Sequence, residues 1–209
     1  MFRPALGLTG ILILLLIPYS SHAQQAEAPA YKDGDWWRVK VDVVRPIGVS
    51  IEGPQLGRLP EYIVKFESGK AKVIGIEGNE SKETDSPGII GLVLGRTGWR
   101  GDLLRFPMRV GFSWTDRFQY QPRGFQSRWQ EGRYQVEAWE KVKTPKGEFD
   151  AFKLIMTMSV PKGPKPLAPT EVRTNTYYYA PDIKAIVSFH EAGTETSVTS
   201  TLIDFSLAK

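Results

Sequence analysis

The chain has 209 residues, of which 41% are hydrophobic and 24% charged, with 20 Gly, 15 Pro, two His and no Cys. This composition is typical of a folded globular chain, and the missing thiol excludes disulfides, cysteine nucleophiles, thiolate zinc sites and iron–sulfur clusters. The formal net charge of +4 is too small to indicate a nucleic-acid partner. We expect no metal, no cofactor and no nucleic acid to be bound.

Residues 1–23 have the pattern of a secretory signal peptide. Arg3 precedes an apolar run over Ala5–Ile17, and Ser21 and Ala23 are the small residues before a cleavage site. The run has 13 residues, fewer than the roughly 18 that a membrane-spanning helix needs. No cysteine follows that could carry a lipid. We therefore expect a soluble bacterial protein, periplasmic or secreted, that is not a lipoprotein and has no transmembrane segment after cleavage.

Beyond the leader, the sequence predicts a mobile lead-in, residues 24–30, and a single all-β domain, residues 31–209. Apolar and polar residues alternate over Trp36–Val44, which indicates a strand with one buried face. A second alternating run begins at Tyr62 and turns at Ser68–Gly69 into a third. This pattern predicts a β-hairpin.

The clearest hairpin lies in the second half of the chain. Alternating runs over Tyr134–Val142 and Phe152–Val160 flank Thr144–Gly147, whose Pro and Gly suit a tight reversal. A connector with four prolines follows over residues 161–169, and proline cannot maintain the hydrogen bonds of a strand ladder.

Three further strands are predicted after this connector, over residues 172–180, 185–191 and 197–207. The last strand is expected to turn Ile203, Phe205 and Leu207 inward. Eight or more strands without helical interruptions indicate a single antiparallel β-sandwich or an incomplete, half-open β-barrel.

Three stretches of the sequence carry a resemblance to a known group of proteins. They are Phe106–Trp114 (FPMRVGFSW), Glu140–Lys153 (EKVKTPKGEFDAFK) and Tyr177–Lys184 (YYYAPDIK). Through them the chain resembles a group of exported bacterial domains without assigned activity. The resemblance implies a curved, all-antiparallel sheet or half-barrel outside the cytoplasm, and it implies no catalytic residues.

Residues 96–133 are rich in arginine and aromatic residues and contain no lysine. Guanidinium groups bind carboxylates and phosphates at two points, and flat rings stack on ligands or on arginine itself. This segment, together with the later tyrosine run, predicts a contact region for an anionic glycan or a lipid head group. The candidate ligand contacts are Arg96, Trp99, Arg100, Arg105, Arg109, Arg117, Tyr177 and Tyr179.

A structural interpretation of the same segment is the alternative. Arginine stems then cover apolar surface, their charges pair with nearby acidic residues, and the rings fill the core. Alternation along the predicted strand places Trp114 on the side opposite Ser113 and Thr115. Most of the rings are therefore expected to be buried.

Together these observations favour an exported, non-catalytic β-rich envelope protein that binds or scaffolds an anionic glycan, a lipid head group or an envelope protein. One alternative is an enzyme that cleaves an envelope polysaccharide with carboxylates such as Glu137 or Glu148. Glu137 and Glu140, however, differ in parity and should face opposite sides of their strand. A second alternative is a half-barrel that carries lipid in an apolar cavity.

Overall fold

The computed structural model describes residues 24–44, 61–75, 81–84, 103–120, 128–161, 170–192 and 197–209. These residues form twelve strands and one short 3-10 helix, Pro181–Ile183. The strands are β1 (Gln25–Ala26), β2 (Trp36–Val44), β3 (Glu61–Glu67), β4 (Lys70–Gly75), β5 (Ser81–Thr84), β6 (Met108–Arg109), β7 (Ser113–Tyr120), β8 (Arg128–Thr144), β9 (Gly147–Pro161), β10 (Thr170–Ala180), β11 (Ala185–Ala192) and β12 (Ser197–Ser206). The predicted signal peptide lies outside the described residues.

Ten of these strands form one sheet in the order β5-β4-β3-β2-β12-β11-β10-β9-β8-β7, and β1 pairs with β6 in a separate ladder. Every neighbouring pair is antiparallel. The order among the described strands is open, with β5 and β7 at its two ends. The predicted all-β antiparallel fold is confirmed in its incomplete-barrel form.

One face of the sheet carries the hydrophobic core, because each strand turns alternate side chains to the same side. On β2, Trp37 and Val39 are buried while Arg38 between them is half-buried. On β9, Leu154 and Met156 are fully buried. Burying a side chain of this size stabilises the fold by about 1.5–3 kcal/mol relative to leaving it exposed. The protein's own side chains therefore pack this face.

Residues 24–30 differ from the predicted mobile lead-in. Gln25 and Ala26 form β1, which pairs with Arg109 and Met108 of β6. Ala26 and Met108 are only 4% and 0% exposed, so this small ladder is attached to the core. A strand of two residues is too short to produce a periodic pattern, and the sequence gives no sign of it.

The two predicted hairpins are confirmed. Ser68 and Gly69 connect β3 to β4 with φ angles of +54° and +74°, and a tight hairpin turn requires such a pair of positive angles. At the other hairpin Thr144 pairs with Gly147, and the Thr144 hydroxyl accepts a hydrogen bond from the Lys146 amide at 3.2 Å.

Register shifts interrupt the simple alternation in β8, β11 and β12. A bulge inserts one residue, so the strand changes parity beyond it. In β12 the shift lies between Leu202 and Asp204, and Leu202 is fully buried. The prediction that Ile203 faces inward is wrong because Ile203 is the inserted residue. Phe205, beyond the bulge, packs against the core as predicted.

A buried carboxylate joins three distant parts of the chain. Asp35 is 0% exposed, and its Oδ2 accepts hydrogen bonds from the Lys32 amide and the Lys184 amine, each at 3.0 Å. Its Oδ1 accepts one from the Ala208 amide at 2.8 Å. Burial opposes ionisation, but these hydrogen bonds and the charge of Lys184 outweigh it and lower the pKa of Asp35. Asp35 is therefore a buried anion held by its donors.

The tip of the β8–β9 hairpin reaches β12, although β10 and β11 separate them in the strand order. The Phe149 ring lies 5.9 Å from the Phe205 ring. Beside this contact the Lys146 amine forms an ion pair with Asp204. The sheet is therefore rolled at this end, as the right-handed twist of successive strands favours.

Candidate binding site on the outward face of the sheet

Polar side chains cover the outward face of β7, β8 and β9, the face opposite the core. Because Trp114, Tyr134 and Met156 are buried, their neighbours along each strand point outward. The cross-strand register aligns these neighbours in two rows, Thr115–Arg133–Thr157 and Ser113–Gln135–Ile155. Adjacent strands lie about 4.8 Å apart, so the side chains of a row can contact one ligand together.

A shallow groove of about 470 Å³ lies on this part of the sheet, and we call it the outer groove. Its lining residues are Ser113, Trp114, Thr115, Arg133, Tyr134, Gln135, Ile155 and Thr157. The outward members of this set supply hydroxyl groups, one amide and one guanidinium around a single aliphatic side chain. Such groups donate and accept hydrogen bonds along an extended polar ligand.

Trp129 extends this surface along β8. It lies four residues before Arg133, on the same face of the strand, and is 62% exposed. Exposed tryptophan is a common anchor residue of binding surfaces. Glu131 lies between the two, with its Oε1 3.8 Å from Arg133 Nε, and is paired in register with Arg117. Two guanidinium groups thus accompany one carboxylate, which makes this end of the outer groove positively charged.

A rigid aromatic layer supports the groove from the core side. The Trp114 and Tyr134 rings stack in parallel with centroids 5.1 Å apart, and Phe112 lies 5.4 Å from Trp114. Burial raises the pKa of Tyr134, the nearby Asp116 adds to this, and Arg105 opposes it. The backbone beneath the outer groove is therefore fixed by buried rings on its other side.

The described arginines among the predicted contacts, Arg105, Arg109 and Arg117, lie in different surroundings. Arg105 is half-buried, with its Nη2 3.8 Å from Asp116 Oδ1, while Arg117 points to the opposite, outward face of β7. Arg109 is exposed in β6. The remaining three predicted contacts of this segment lie outside the described residues: Arg96, Trp99 and Arg100. Of the described arginines that were predicted, Arg117 is the one placed beside the outer groove.

The two predicted tyrosine contacts belong to the core. Tyr177 and Tyr179 are 0% and 1% exposed, and the Tyr177 ring stacks on Phe189 with centroids 4.9 Å apart. Alternation along β10 places Tyr177 and Tyr179 on the same side of the strand. That side is the buried one, so neither ring can contact a ligand in this fold. Tyr178 is the outward tyrosine and is half-buried. Burial raises the pKa of Tyr178, and the negative charge of Glu140 adds to it.

The sequence prediction did not include the side chains that line the outer groove, because it rested on the arginine and aromatic content of residues 96–133 and on the tyrosine run. Gln135 and Thr157 were not considered as contacts. The signal that identifies them is the outward parity of polar residues in three consecutive strands. Reading that signal requires the register between the strands, which the sequence does not supply.

The carboxylates considered for catalysis are matched with lysines. A bulge at Glu137 changes the parity of β8. The charges of both Glu137 and Glu140 raise the pKa of Lys153, so both carboxylates lie on its side of the sheet. Glu137 Oε2 lies 2.5 Å from Lys153 Nζ, and this hydrogen bond raises the pKa of the lysine. The prediction that Glu137 and Glu140 face opposite sides is therefore wrong. Glu148 Oε1 similarly lies 3.8 Å from Lys141 Nζ. These are the contacts of surface ion pairs.

Three solved structures align with most of this chain. The hypothetical lipoprotein YmcC from Escherichia coli has 9% sequence identity and a TM-score of 0.43, covering 84% of this chain and 86% of its own. An exported protein with a YmcC-like fold from Bacteroides fragilis has 14% identity and a TM-score of 0.42, covering 87% and 99%. A protein from Parabacteroides distasonis, described as a lipoprotein, has 11% identity and a TM-score of 0.43, covering 88% and 100%. No protein-family model matches the chain, and no curated protein matches it significantly.

These neighbours bear on the predicted localisation. Two of them are described as lipoproteins, and those descriptions contradict the prediction that this protein is not a lipoprotein. The third neighbour, from Bacteroides fragilis, is described as exported, as was expected of this chain. The part of the chain described by the structure contains no helix with the length and hydropathy of a bilayer-spanning segment.

Proposed function

We propose that this protein is a non-catalytic binding protein of the bacterial envelope whose outer groove holds an acidic polysaccharide. One observation carries the proposal. Two cross-strand rows of hydroxyl, amide and guanidinium groups line a groove of about 470 Å³, and the exposed Trp129 lies on the same face of β8.

Each part of the outer groove suits a different part of such a ligand. Arg133 and Arg117 can pair with the carboxylates of the polymer, and guanidinium groups form two-point hydrogen bonds with that group. Ser113, Thr115 and Gln135 can exchange hydrogen bonds with sugar hydroxyls in either direction. The flat indole of Trp129 offers an apolar surface for the face of a sugar ring.

The two alternative functions have less support in the described residues. A lipid carrier needs an enclosed apolar cavity, whereas the core side is packed with buried side chains such as Leu154, Met156 and Tyr177. A carboxylate-dependent glycosidase needs one carboxyl group with a raised pKa beside a second carboxylate. Glu137 and Glu148 instead form surface ion pairs with lysines.

A titration with polygalacturonate tests the proposal. Isothermal calorimetry at low ionic strength should show binding to the wild-type protein, and dextran, the neutral comparison polymer, should bind more weakly. We expect Trp129→Ala and Arg133→Ala each to weaken binding by about tenfold, the loss of one charge-assisted or stacking contact. Added salt should weaken the arginine-dependent part.

Lys143→Ala is the matched control. It also removes one exposed positive charge, but from the far end of β8, where its side chain is 87% exposed. The affinity of the Lys143→Ala variant for polygalacturonate should equal that of the wild type. Absence of polygalacturonate binding, or equal losses in the Lys143 and Arg133 variants, would reject the outer groove as the binding site.

A further inference from the structure

The two rows of the outer groove continue across the rest of the sheet. Thr157 pairs in register with Thr174, which extends the first row to β10. The second row extends further, from Ile155 through Thr176 and His190 to Thr199. This row therefore crosses β7, β8, β9, β10, β11 and β12 without a break in register.

A third row of similar character runs beside them. Lys153, Tyr178, Ser188 and Thr201 are aligned on β9, β10, β11 and β12. All four side chains are partly exposed. The three rows from β7 to β12 thus form a continuous surface rich in hydroxyl groups with few apolar side chains, and the cationic residues within these rows are Arg133 and Lys153.

The spacing of the strands sets the length of the second row, and a charged residue on β2 marks its end. Six strands at about 4.8 Å spacing make the second row about 24 Å long. Beyond Thr199 the next residue in the row is Asp42 of β2. Its carboxylate lies 3.1 Å from the Lys40 amine, so the row of uncharged polar side chains ends at β12, where this ion pair begins.

The lining of the outer groove also favours a surface that runs across the strands. Its lining comes from three neighbouring strands but from only two outward positions on each strand. Hydroxyl groups therefore recur more closely across the strands than along them, where outward residues lie about 6.6–6.8 Å apart. His190 fits this arrangement, since it is exposed and its Nδ1 lies 3.3 Å from Thr199 Oγ1.

We infer that the acidic polysaccharide lies across the strands, along the row from Ser113 to Thr199, with its chain perpendicular to β7–β12. This inference rests on the proposed function and adds the orientation and length of the ligand. Arg133, in the neighbouring row, holds one end of the polymer at the outer groove. Thr176, His190 and Thr199 contact the part that extends beyond it.

A series of oligogalacturonates of increasing length tests this orientation. Affinity should rise with length until the oligomer spans about 24 Å and then level off. The double variant Thr176→Val/Thr199→Val removes two remote hydroxyls without changing the shape or strand propensity of the side chains. It should weaken the longest oligomer by roughly three- to tenfold and leave the shortest unchanged.

Thr115→Val provides the matched control because it removes a hydroxyl inside the outer groove. It should weaken short and long oligomers alike. Circular dichroism of each variant verifies that the sheet has formed. If affinity does not depend on length and the double variant binds like the wild type while Trp129→Ala still weakens binding, the cross-strand orientation is wrong and the proposed function stands. If Trp129→Ala and Arg133→Ala have no effect on any oligomer, the proposed function itself is wrong.

Discussion

Asp35 shows how one residue can connect parts of the chain that are far apart in sequence at the centre of an open sheet. Its three donors come from Lys32, Lys184 and Ala208, which are separated from it by 3, 149 and 173 positions in sequence. Lys184 has a positive φ of 58°, which few residues with a Cβ adopt, and its amine lies 3.0 Å from the Asp35 carboxylate. No local sequence pattern predicts such a contact, since each partner is an ordinary charged or backbone group until the fold brings them together.

Asp35→Asn is expected to lower the free energy of unfolding by about 3 kcal/mol at pH 7, because it leaves the Lys184 ammonium without its buried counter-ion. Urea denaturation followed by fluorescence measures this change. Asp33→Asn is the control, since Asp33 is exposed and, among the described residues, accepts one hydrogen bond, from the Gly69 amide at 3.2 Å. A loss below 1 kcal/mol for Asp35→Asn, equal to that of the control, would contradict the role given to the buried carboxylate.

The difference in unfolding free energy between wild type and Asp35→Asn depends on pH, and the sign of this dependence follows from the pKa of Asp35. The pKa of Asp35 is lower in the folded protein than its ordinary value of 3.8, so the unfolded chain takes up the proton first as the pH falls. Its contribution is complete above about pH 5 and is lost as the pH falls through the folded-state pKa. The stability gap between wild type and Asp35→Asn should therefore be constant near neutrality and narrow below about pH 4.

Short turns and bulges decide which face each strand presents. Gly111 lies between β6 and β7 with a φ of +84°, and its amide donates to the Val136 carbonyl at 2.9 Å. A Cβ atom added at this position would meet no atom within 4 Å. Glycine is therefore needed for its backbone angle alone. This explains the valine-glycine pair in the FPMRVGFSW stretch by conformation, without a ligand.

Gly111→Ala should lower the free energy of unfolding by about 1 kcal/mol, the cost of a positive φ in a residue with a Cβ. Gly111→Asn should cost less because asparagine adopts positive φ more readily. Thermal or urea denaturation of the two variants gives the order. A larger loss for asparagine than for alanine would show that space, rather than backbone angle, limits the position.

Strand positions could be predicted from sequence, but side-chain directions could be predicted only up to the first bulge. Alternation located β2, both hairpins and the three last strands, because period two is a direct consequence of the pleat. It failed for Ile203 and for the pair Glu137 and Glu140, where an inserted residue reverses the parity. Such bulges depend on the partner strand and leave no signal in the strand's own sequence.

At the scale of the whole molecule, the roll of the sheet depends on contacts between strands that are not neighbours. Phe149 and Phe205 meet edge to face at 5.9 Å, and each also contributes to the core surface. An aromatic pair of this geometry contributes about 0.5–1.5 kcal/mol beyond the area it buries. The hairpin tip therefore holds the rolled end in place.

A double-mutant cycle on Phe149→Leu and Phe205→Leu measures this contribution. The coupling energy in urea denaturation should be about 0.5–1.5 kcal/mol. Phe149→Leu combined with Phe189→Leu is the control cycle, because Phe189 stacks on Tyr177 in another part of the core, and these effects should add. Additivity in both cycles would mean that the tip merely lies near β12 without stabilising the roll.

The candidate site shows what sequence could and could not supply at this scale. The outward parity of Ser113, Thr115 and Arg117 follows from alternation around Trp114, and the structure confirms it. The pairing of Thr115 with Arg133 and Thr157 depends on strand register. A binding surface assembled across strands therefore becomes visible only when the order and register of the sheet are known.

The position of β2 has a consequence for how the chain matures. This early strand is inserted between β3 and β12, so one of its two hydrogen-bonding edges stays vacant until the last strand arrives. Contacts of such long sequence separation make folding slow, and an uncovered edge invites pairing with other chains. During folding the polypeptide thus passes through a stage in which a chaperone that shields β2 would suppress aggregation.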